Sequence, residues 1–565
     1  MSKRKSLPLS PQPVPEAPSD GLHHHLPSSA AVREAVESIV IALILAFLFR
    51  TFEAEAFVIP TGSMAPTLMG RHKDVVCPQC GCPYQVSASD EVDLNGNLKG
   101  QTYQVEAGTC PMCRYTADLG PHNPQHQSYP SYNGDRILVG KFVYQFSDPE
   151  RWDVIVFKFP GDEHTDSRTN FIKRLIGLPG ETVRIQHGNI WIRPNQENEA
   201  EFSIARKSPE KLLAVLQPVF DNDCMPPIAE RGWPVRWRPE SPSTAGAWTS
   251  DDKKTFRADG SADGENWLRY QHLIPSYGQW KALERGEESI TREVEPQWIT
   301  DFTAYNTGRE PGDRHPLFPM PPPDSLGLFW VGDLALSCTV DLESDKGQLV
   351  FELRKGGRRF QCHIEAATGK ATLSVSGPGM EPFQPSALTN VRGPGQHEIR
   401  FSNCDNELLL WVDGSVVSFD ASTRYGDLGN TLPDATDKKP VGVASVGAAV
   451  QISHLAIFRD LYYITNMQSN RQASAAPNEL FLRHRAEGYS DFMLADDQFF
   501  VLGDNSARSK DGRLWGSDNY WVGRELLIGK ALFIYWPHSW DKIRTPWFDI
   551  PFPYFPNFAR MRLVR

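Results

Sequence analysis

The feature that most constrains this chain is a single apolar run followed closely by a serine in a turn. Residues 38–49 read SIVIALILAFLF, and residues 59–68 read IPTGSMAPTL. Prolines fix φ on both sides of the turn, and Gly62 gives the backbone freedom just before the hydroxyl, so we expect Ser63 to be presented rather than buried. A serine hydroxyl is a weak nucleophile until a base removes its proton, so the rest of the chain must supply that base.

The apolar run predicts a membrane segment of marginal length. Twelve helical residues reach about 18 Å, whereas a bilayer core of about 30 Å needs about 20 residues. We expect residues 33–54 to form one transmembrane anchor with Arg50 reaching the interface, preceded by a disordered tail at 1–32. The alternative is a cleavable export signal, because Ala54-Glu55-Ala56 offers a small-x-small site, and a mature chain that begins at Phe57 would rule out the anchor.

Composition places the rest of the chain among globular proteins. Its 565 residues are enough for two to four domains, and a content of 40% hydrophobic and 11% aromatic residues is ordinary for globular proteins. Lys and Arg number 58 against 69 Asp and Glu, which gives a net charge of −11. Because no basic run with interleaved aromatic residues is present, we expect no nucleic-acid partner.

The nine cysteines are too few for a disulfide scaffold of this length, yet five of them lie between positions 77 and 113. Four form two Cys-Pro-x-Cys pairs, namely Cys77, Cys80, Cys110 and Cys113. Such pairs can each hold one side of a tetrahedral zinc, which predicts a zinc-ribbon-like insertion at 74–120. The alternative is disulfides or redox-active dithiols, which an oxidising compartment would allow. Cys82 is left over as a spare.

From residue 135 the sequence alternates with period two, which predicts a mostly β domain. In the strand around Lys173 the alternation places Phe171 and Leu175 on the same face as the lysine. A lysine acts as a general base only when it is neutral, and desolvation on such a face can lower its pKa from about 10.4 to about 7 or 8. Lys141 and Lys158 are interpreted as exposed strand charges.

A third motif, GDNSARSKDGR, occupies residues 503–513. With the serine turn and the stretch FIKRLIGLPG at 171–180, it makes a pattern that resembles the type I signal peptidases. The resemblance covers the anchor, the serine turn and roughly residues 131–195 and 485–540. It implies a β catalytic domain on a single N-terminal transmembrane helix, and a serine endopeptidase that needs no catalytic cofactor.

The resemblance also implies roles for individual residues. Ser63 is the nucleophile and Lys173 the base, with the Ser63 amide and the Thr61 hydroxyl holding the oxyanion. Ser509 is expected to hydrogen-bond the amine of Lys173. The remaining support residues of the third motif are Gly503, Asp504 and the ion pair of Asp511 with Arg513. The motif departs from the commonest family form at residues 506–508 and at Gly512.

The family pattern is interrupted by a long insertion between the two catalytic parts, 55–195 and 480–565. Residues 196–325 are rich in Trp and Pro and indicate no particular fold. Residues 326–465 predict a β-sandwich resembling laminin-G or concanavalin-like jelly rolls, with a hairpin at 349–364. This sandwich is either a glycan- or protein-binding domain or an inert spacer.

The function expected from these motifs is signal-peptide removal at the outer face of the cell membrane. The partners would be exported precursors with small residues before the cut, together with membrane lipid. The aromatic C-terminal tail packs on the catalytic domain or forms an apron at the membrane. One rival is a membrane-anchored binding protein on a degenerate peptidase scaffold. Another, a cytosolic self-cleaving Ser-Lys repressor protease, fits neither the apolar run nor the acidic charge.

Overall fold

The computed structural model describes residues 36–43 and 54–565, apart from a set of internal segments. These segments are 94–95, 101–102, 121–122, 124–128, 161–168, 197–199, 226–234, 241–247, 263, 288–293, 309–326, 430–431, 466–488, 517–518 and 545–547. From Glu55 to Arg565 the chain forms one compact unit. The prediction of a mostly β fold is confirmed, because strands dominate every described part of this unit.

The strands fall into three groups along the chain. Before residue 205 they are β1 (Ala54–Val58), β2 (His72–Val76), β3 (Pro83–Ser87), β4 (Ala107–Thr109), β5 (Thr116–Asp118), β6 (Ser131–Tyr132), β7 (Arg136–Gly140), β8 (Val154–Lys158), β9 (Asn170–Gly177), β10 (Glu181–Gln186), β11 (Asn189–Pro194) and β12 (Ser203–Ile204). The middle group is β13 (Gln217–Asp221), β14 (Trp237–Glu240), β15 (Phe256–Asp259), β16 (Asn266–Tyr270), β17 (Leu334–Leu342), β18 (Gln348–Lys355), β19 (Arg358–Glu365), β20 (Lys370–Ser376), β21 (Ser386–Leu388), β22 (Gly395–Cys404), β23 (Glu407–Val412), β24 (Ser415–Val416), β25 (Val441–Val446) and β26 (Ala449–Arg459). The last group is β27 (Tyr489–Met493), β28 (Gln498–Leu502), β29 (Val522–Gly523), β30 (Leu527–Trp536), β31 (Ser539–Arg544), β32 (Asp549–Pro556) and β33 (Arg562–Leu563).

The described helices are short. They are α1 (residues 36–43), α2 (Val143–Phe146), α3 (Pro209–Val215) and α4 (Tyr277–Glu284). The start of α3 follows from its sequence, because Ser208 accepts a hydrogen bond from the Lys211 amide and Pro209 takes the first helical position. Several 3-10 turns connect the strands, and those at Gly62–Met64 and Ala304–Thr307 are used below.

Both ends of the compact unit build one eight-stranded sheet, here called the shared sheet. Its order is β1-β7-β30-β8-β9-β28-β29, with β33 paired to β30. In β8, Val154 and Val156 enter one apolar cluster, whereas Ile155 and Phe157 enter another. The shared sheet is therefore buried on both faces, which the near-continuous apolar run in β8 requires. A smaller sheet, β12-β11-β10-β27, also joins the early and late parts of the chain.

The insertion forms a sandwich of two seven-stranded sheets around one large apolar core. The orders are β13-β26-β17-β22-β23-β24, with β15 on β26, and β14-β16-β25-β18-β19-β20-β21. The hairpin β18–β19 turns at Gly356 and Gly357, between paired Lys355 and Arg358. Strands β13 to β16 come from residues 217–270, so the sandwich begins well before the expected boundary at residue 326 and includes much of the Trp-rich stretch.

The cysteine-rich stretch forms two small sheets, β3-β2-β6 and β4-β5. Cys82, expected to be a spare, is instead bonded to Cys224 with a Cα–Cα distance of 5.4 Å, within the range of native disulfides. The reason is tertiary: the insertion packs Trp280 and Phe302 against the cysteine-rich core and brings Cys224 to its edge. We call residues 72–119 the cysteine module.

The expected anchor is only partly described. Residues 36–43 are helical, while 33–35 and 44–53 lie outside the described residues, as does the expected tail at 1–32. Within the described chain, no helix has the length and apolar character needed to span a bilayer. At the other end of the chain, the aromatic tail forms β32, which pairs with β31 as a hairpin.

Candidate active site

The structure brings Ser63 and Lys173 together although 110 residues separate them. Lys173 Nζ lies 2.7 Å from Ser63 Oγ. Ser63 sits in the 3-10 turn Gly62–Met64, and Lys173 lies in the middle of β9. The serine is only 9% exposed, so the expectation of a presented hydroxyl needs correction. The turn is covered by other parts of the fold, which its local sequence does not reveal.

Apolar side chains that follow Ser63 in the sequence hold the turn in place. Met64 and Leu68 are fully buried in the cluster on one face of the shared sheet. The Leu68 amide donates to the Met64 carbonyl over 3.0 Å, and the Ala65 amide donates to Gly62 over 3.1 Å. The backbone that carries the Ser63 hydroxyl is thus held in place by the residues that follow it.

Lys173 occupies an environment that disfavours its charged form. Its side chain is 3% exposed, and burial lowers its pKa to about 8. The carboxylates of Asp511 and Asp504 act in the opposite direction, and Arg513 adds to the lowering. The amine also donates to the Ile172 carbonyl over 3.1 Å. An amine with a pKa near 8 can accept a proton from a serine at a pH close to neutrality.

Asp504 organises a buried ion pair that sequence reasoning missed. Arg174 Nε and Nη2 each donate to Asp504 over 2.7 Å, and the Thr67 hydroxyl donates to the same carboxylate over 2.5 Å. Both charged side chains are fully buried. The bond to Thr67 ties the serine segment to the third motif. A signal was present, because an arginine in a strand buried on both faces requires a buried carboxylate.

Asp511 and Arg513 form the expected ion pair at 2.7 Å. Asp511 also accepts the Gly503 amide over 2.9 Å, which closes the loop of the third motif. A Cβ at Gly503 would lie 2.1 Å from Ser509 Oγ and 2.5 Å from the Ser63 carbonyl oxygen. Only glycine therefore fits where this loop passes the serine turn.

Ser509 differs from its expected role. It is 1% exposed and lies beside Gly503, yet within the described residues its hydroxyl has no hydrogen-bond partner. The expected bond to Lys173 is therefore absent. The amine already meets the Ser63 hydroxyl and the Ile172 carbonyl, so it is held without Ser509.

Three further sequence expectations concern Thr61, Lys141 and Lys158. Thr61 precedes the 3-10 turn, is exposed, and makes no side-chain capping bond to it. Lys141 pairs with Glu55 over 2.6 Å and is about one-third exposed. Lys158, at the end of β8, is half-buried rather than exposed.

The four clustered cysteines form a second site of defined geometry. Cys77 Sγ lies 3.5 Å from Cys113 Sγ, and Cys80 Sγ lies 3.6 Å from Cys110 Sγ. All four thiols are unbridged, and their sulfur atoms lie within 4.8 Å of one another. A tetrahedral zinc with bonds of about 2.3 Å needs sulfur atoms about 3.8 Å apart. These residues therefore fit a zinc ion.

Two parts of the chain are similar to a known protein family. Residues 122–227 and 445–536 match the family model described as signal peptidase, peptidase S26. The matched parts contain Lys173 and the third motif, while Ser63 lies before them. Between these two matched parts lies most of the insertion. The resemblance to the type I signal peptidases is confirmed.

Several curated proteins named signal peptidase I are similar to parts of this chain. Signal peptidase I P of Bacillus subtilis subsp. natto is 26% identical over 164 residues, which cover 29% of this chain and 52% of the relative. Signal peptidase I of Leptolyngbya laminosa is 27% identical over 195 residues, 34% of this chain and 65% of the relative. In Aquifex aeolicus, signal peptidase I is 52% identical over 50 residues, 9% of this chain and 18% of the relative. The chain thus spans between about a fifth and two-thirds of these relatives.

Two solved structures show a distant likeness to parts of this chain. The carbohydrate binding module CBM66 from Bacillus subtilis gives a TM-score of 0.22 at 8% identity, covering 39% of this chain and 94% of the module. The Caenorhabditis elegans galectin LEC-6 gives 0.17 at 9% identity, covering 22% and 83%. Neither likeness is close enough to carry an argument about this chain.

Proposed function

We propose that this protein is a serine endopeptidase that removes signal peptides from exported precursors, with Ser63 as nucleophile and Lys173 as general base. The observation that carries the proposal is the 2.7 Å contact between Lys173 Nζ and Ser63 Oγ in a buried site. A hydroxyl paired with an amine of lowered pKa is the arrangement that nucleophilic catalysis requires.

The reaction follows from this pair. Ser63 Oγ attacks the scissile carbonyl carbon while its proton passes to neutral Lys173. The oxyanion forms beside the Ser63 amide and the Thr61 hydroxyl, which donate to it. The carbon–nitrogen bond then breaks, and Lys173 returns the proton to the leaving amine. Water, deprotonated by Lys173, hydrolyses the acyl-enzyme and restores the serine.

The substrate class and location rest on the similarity to proteins named signal peptidase I. Precursors with small residues before the cut are the proposed substrates. Residues 33–54 are the proposed anchor, which would keep Ser63, about ten residues further on, at the outer face of the membrane. A signal peptide in the same membrane would then lie within reach of the nucleophile.

We also propose that the four clustered cysteines hold a structural zinc ion. Four thiolates would satisfy the tetrahedral coordination of the metal, which leaves no open position for substrate. The role of the ion would be to stabilise the cysteine module, since the dyad itself needs no metal.

The test is cleavage of an exported precursor by the detergent-solubilised full chain. Ser63→Ala and Lys173→Ala should each abolish cleavage while the protein stays folded. Lys141→Ala is the matched control, because it removes another lysine amine of the same domain outside the dyad, and it should cleave at the wild-type rate. Full activity of Lys173→Ala would refute the dyad.

A further inference from the structure

The insertion reaches back to the serine turn through one short element. The 3-10 helix Ala304–Thr307 is fully buried, and it lies against the turn that carries Ser63. A Cβ at Gly62 would lie 2.2 Å from Cε1 of Tyr305, so the tyrosine ring rests directly on the residue before the nucleophile. The Tyr305 hydroxyl points to the Arg71 carbonyl at 3.4 Å.

The next residue of this helix, Asn306, pairs with Asn505 of the third motif. Asn306 Nδ2 donates to Asn505 Oδ1 over 2.7 Å, and Asn505 Nδ2 donates to Asn306 Oδ1 over 2.8 Å. Both side chains are 5% exposed. Asn505 also donates from Nδ2 to the Gly62 carbonyl over 2.9 Å, and its amide donates to the Ser63 carbonyl over 3.0 Å.

This pairing determines which way the Asn505 amide faces. With Asn306 in place, the Asn505 oxygen has a donor and both Nδ2 protons have acceptors. A flipped Asn505 would set its oxygen against the Gly62 carbonyl oxygen, and like partial charges in a buried site repel strongly. Without Asn306, the correct orientation would leave the Asn505 oxygen unpaired, so neither orientation would be fully satisfied.

We propose that Asn306 is a positioning residue for the Ser63–Lys173 pair. It acts through Asn505, which holds the carbonyl groups of Gly62 and Ser63 and thereby sets the place of the Ser63 hydroxyl. The inserted segment thus completes the active site rather than only interrupting the peptidase domain. This inference rests on the function proposed above.

The helix is anchored on its other side, which lets it act as a fixed support. The Thr109 amide donates to the Thr307 hydroxyl over 2.8 Å, and Arg114 lies 3.4 Å from the ring centroid of Phe302. Both Thr109 and Arg114 belong to the cysteine module. A support that is itself held by hydrogen bonds and packing can position a side chain within the tolerance that catalysis needs.

The decisive experiment measures kcat and KM for Asn306→Ala beside Asn222→Ala, using the full chain and one exported precursor. Asn222 is the matched control, because it is another buried asparagine of the insertion, and its side chain bonds only the carbonyls of Lys253 and Lys254 in the described chain. We expect Asn306→Ala to lower kcat by about 10- to 100-fold with little change in KM, since the hydroxyl and not the substrate site is displaced. Asn222→Ala should lose thermal stability but keep kcat.

Asn306→Asp keeps the shape of the side chain and replaces the Nδ2 donor to Asn505 with a carboxylate oxygen. It therefore serves as a second variant if the alanine variant folds poorly. It should show the same loss of kcat. Wild-type kcat in either folded variant would overturn the inference while leaving the proposed function intact. Failure of the wild-type chain to cleave any exported precursor would instead contradict the proposed function itself.

Discussion

At the scale of single residues, the proposed chemistry depends on the environment of Lys173. The lysine strand predicts an amine on an apolar face, and burial with a pKa near 8 agrees with that reasoning. The carboxylates of Asp504 and Asp511 each form an ion pair with an arginine. Asp504 pairs with Arg174, and Asp511 pairs with Arg513. Because each carboxylate is already paired with a guanidinium group, it stabilises the charged amine of Lys173 less than an unpaired carboxylate would.

The pH dependence of cleavage follows from this pKa. Lys173 must be neutral to act as a base, so kcat/KM should rise with pH through a midpoint of about 8 and level off above it. An unshifted lysine would place the midpoint above pH 10. The measurement is a pH profile of kcat/KM from pH 6 to 10. A rate that falls across this range would contradict lysine as the base.

The same shift predicts how stability depends on pH. The folded pKa of about 8 lies below the usual lysine pKa of 10.5, so the unfolded chain binds more protons between these values and stability rises with pH across that window. Below pH 8 the burial of this amine costs about 3 kcal/mol. Lys173→Met should therefore raise the free energy of unfolding at pH 7 by up to about 3 kcal/mol, and by much less near pH 10.

Urea unfolding of both proteins at the two pH values measures this difference. Other groups titrate equally in the wild type and the variant, so their contributions cancel in the comparison. A gain that is the same at pH 7 and pH 10 would mean that packing of the methionine, and not the lost charge, is responsible.

At the scale of elements, local patterns predicted well where strands lie and predicted poorly which strands pair with each other. Alternation in β8 and β9 and the glycine turn of β18–β19 could all be derived from adjacent residues. Strands β13 to β16 could not be assigned, because they are four or five residues long and lie among prolines and tryptophans. Their place in the sandwich comes from pairing with strands far along the chain, such as β26 and β25.

The cysteine module offers a prediction of its own. Purified wild-type protein should contain about one zinc per chain, and Cys110→Ser should lose the metal and lower the melting temperature. Cys338→Ser is the matched control, because Cys338 is also a free buried cysteine but lies in the sandwich core, so the metal content should not change. Metal analysis and thermal melting provide the readouts. Metal-free protein with all four thiols oxidised would contradict the zinc site.

At the scale of the whole molecule, the insertion is connected to the rest of the compact unit by covalent and ionic links. The disulfide Cys82–Cys224 spans 142 residues. At another point Lys211 of the insertion donates to Asp153 of the earlier part of the chain over 3.1 Å. These two links join the insertion to residues 82 and 153 of the earlier part of the chain.

Removal of the disulfide should weaken the whole fold. Cys224→Ala should lower the free energy of unfolding by about 2–4 kcal/mol, since a long loop is no longer closed in the unfolded chain. Denaturant unfolding measures the change. Wild-type protein kept in reductant should match the variant, and equal stability of the oxidised wild type and the variant would contradict the prediction.

Short-range patterns single out Ser63, Lys173 and the cysteine pairs as candidate residues and predict the β class of this protein, because each depends on residue types at small spacings. Packing decided the rest. The Arg174–Asp504 pair and the hydrogen bond from Asn505 to Gly62 join residues up to 443 positions apart. The burial of Ser63 likewise depends on distant parts of the fold. No local propensity encodes such contacts, since they form only when distant strands and loops compete for the same buried space.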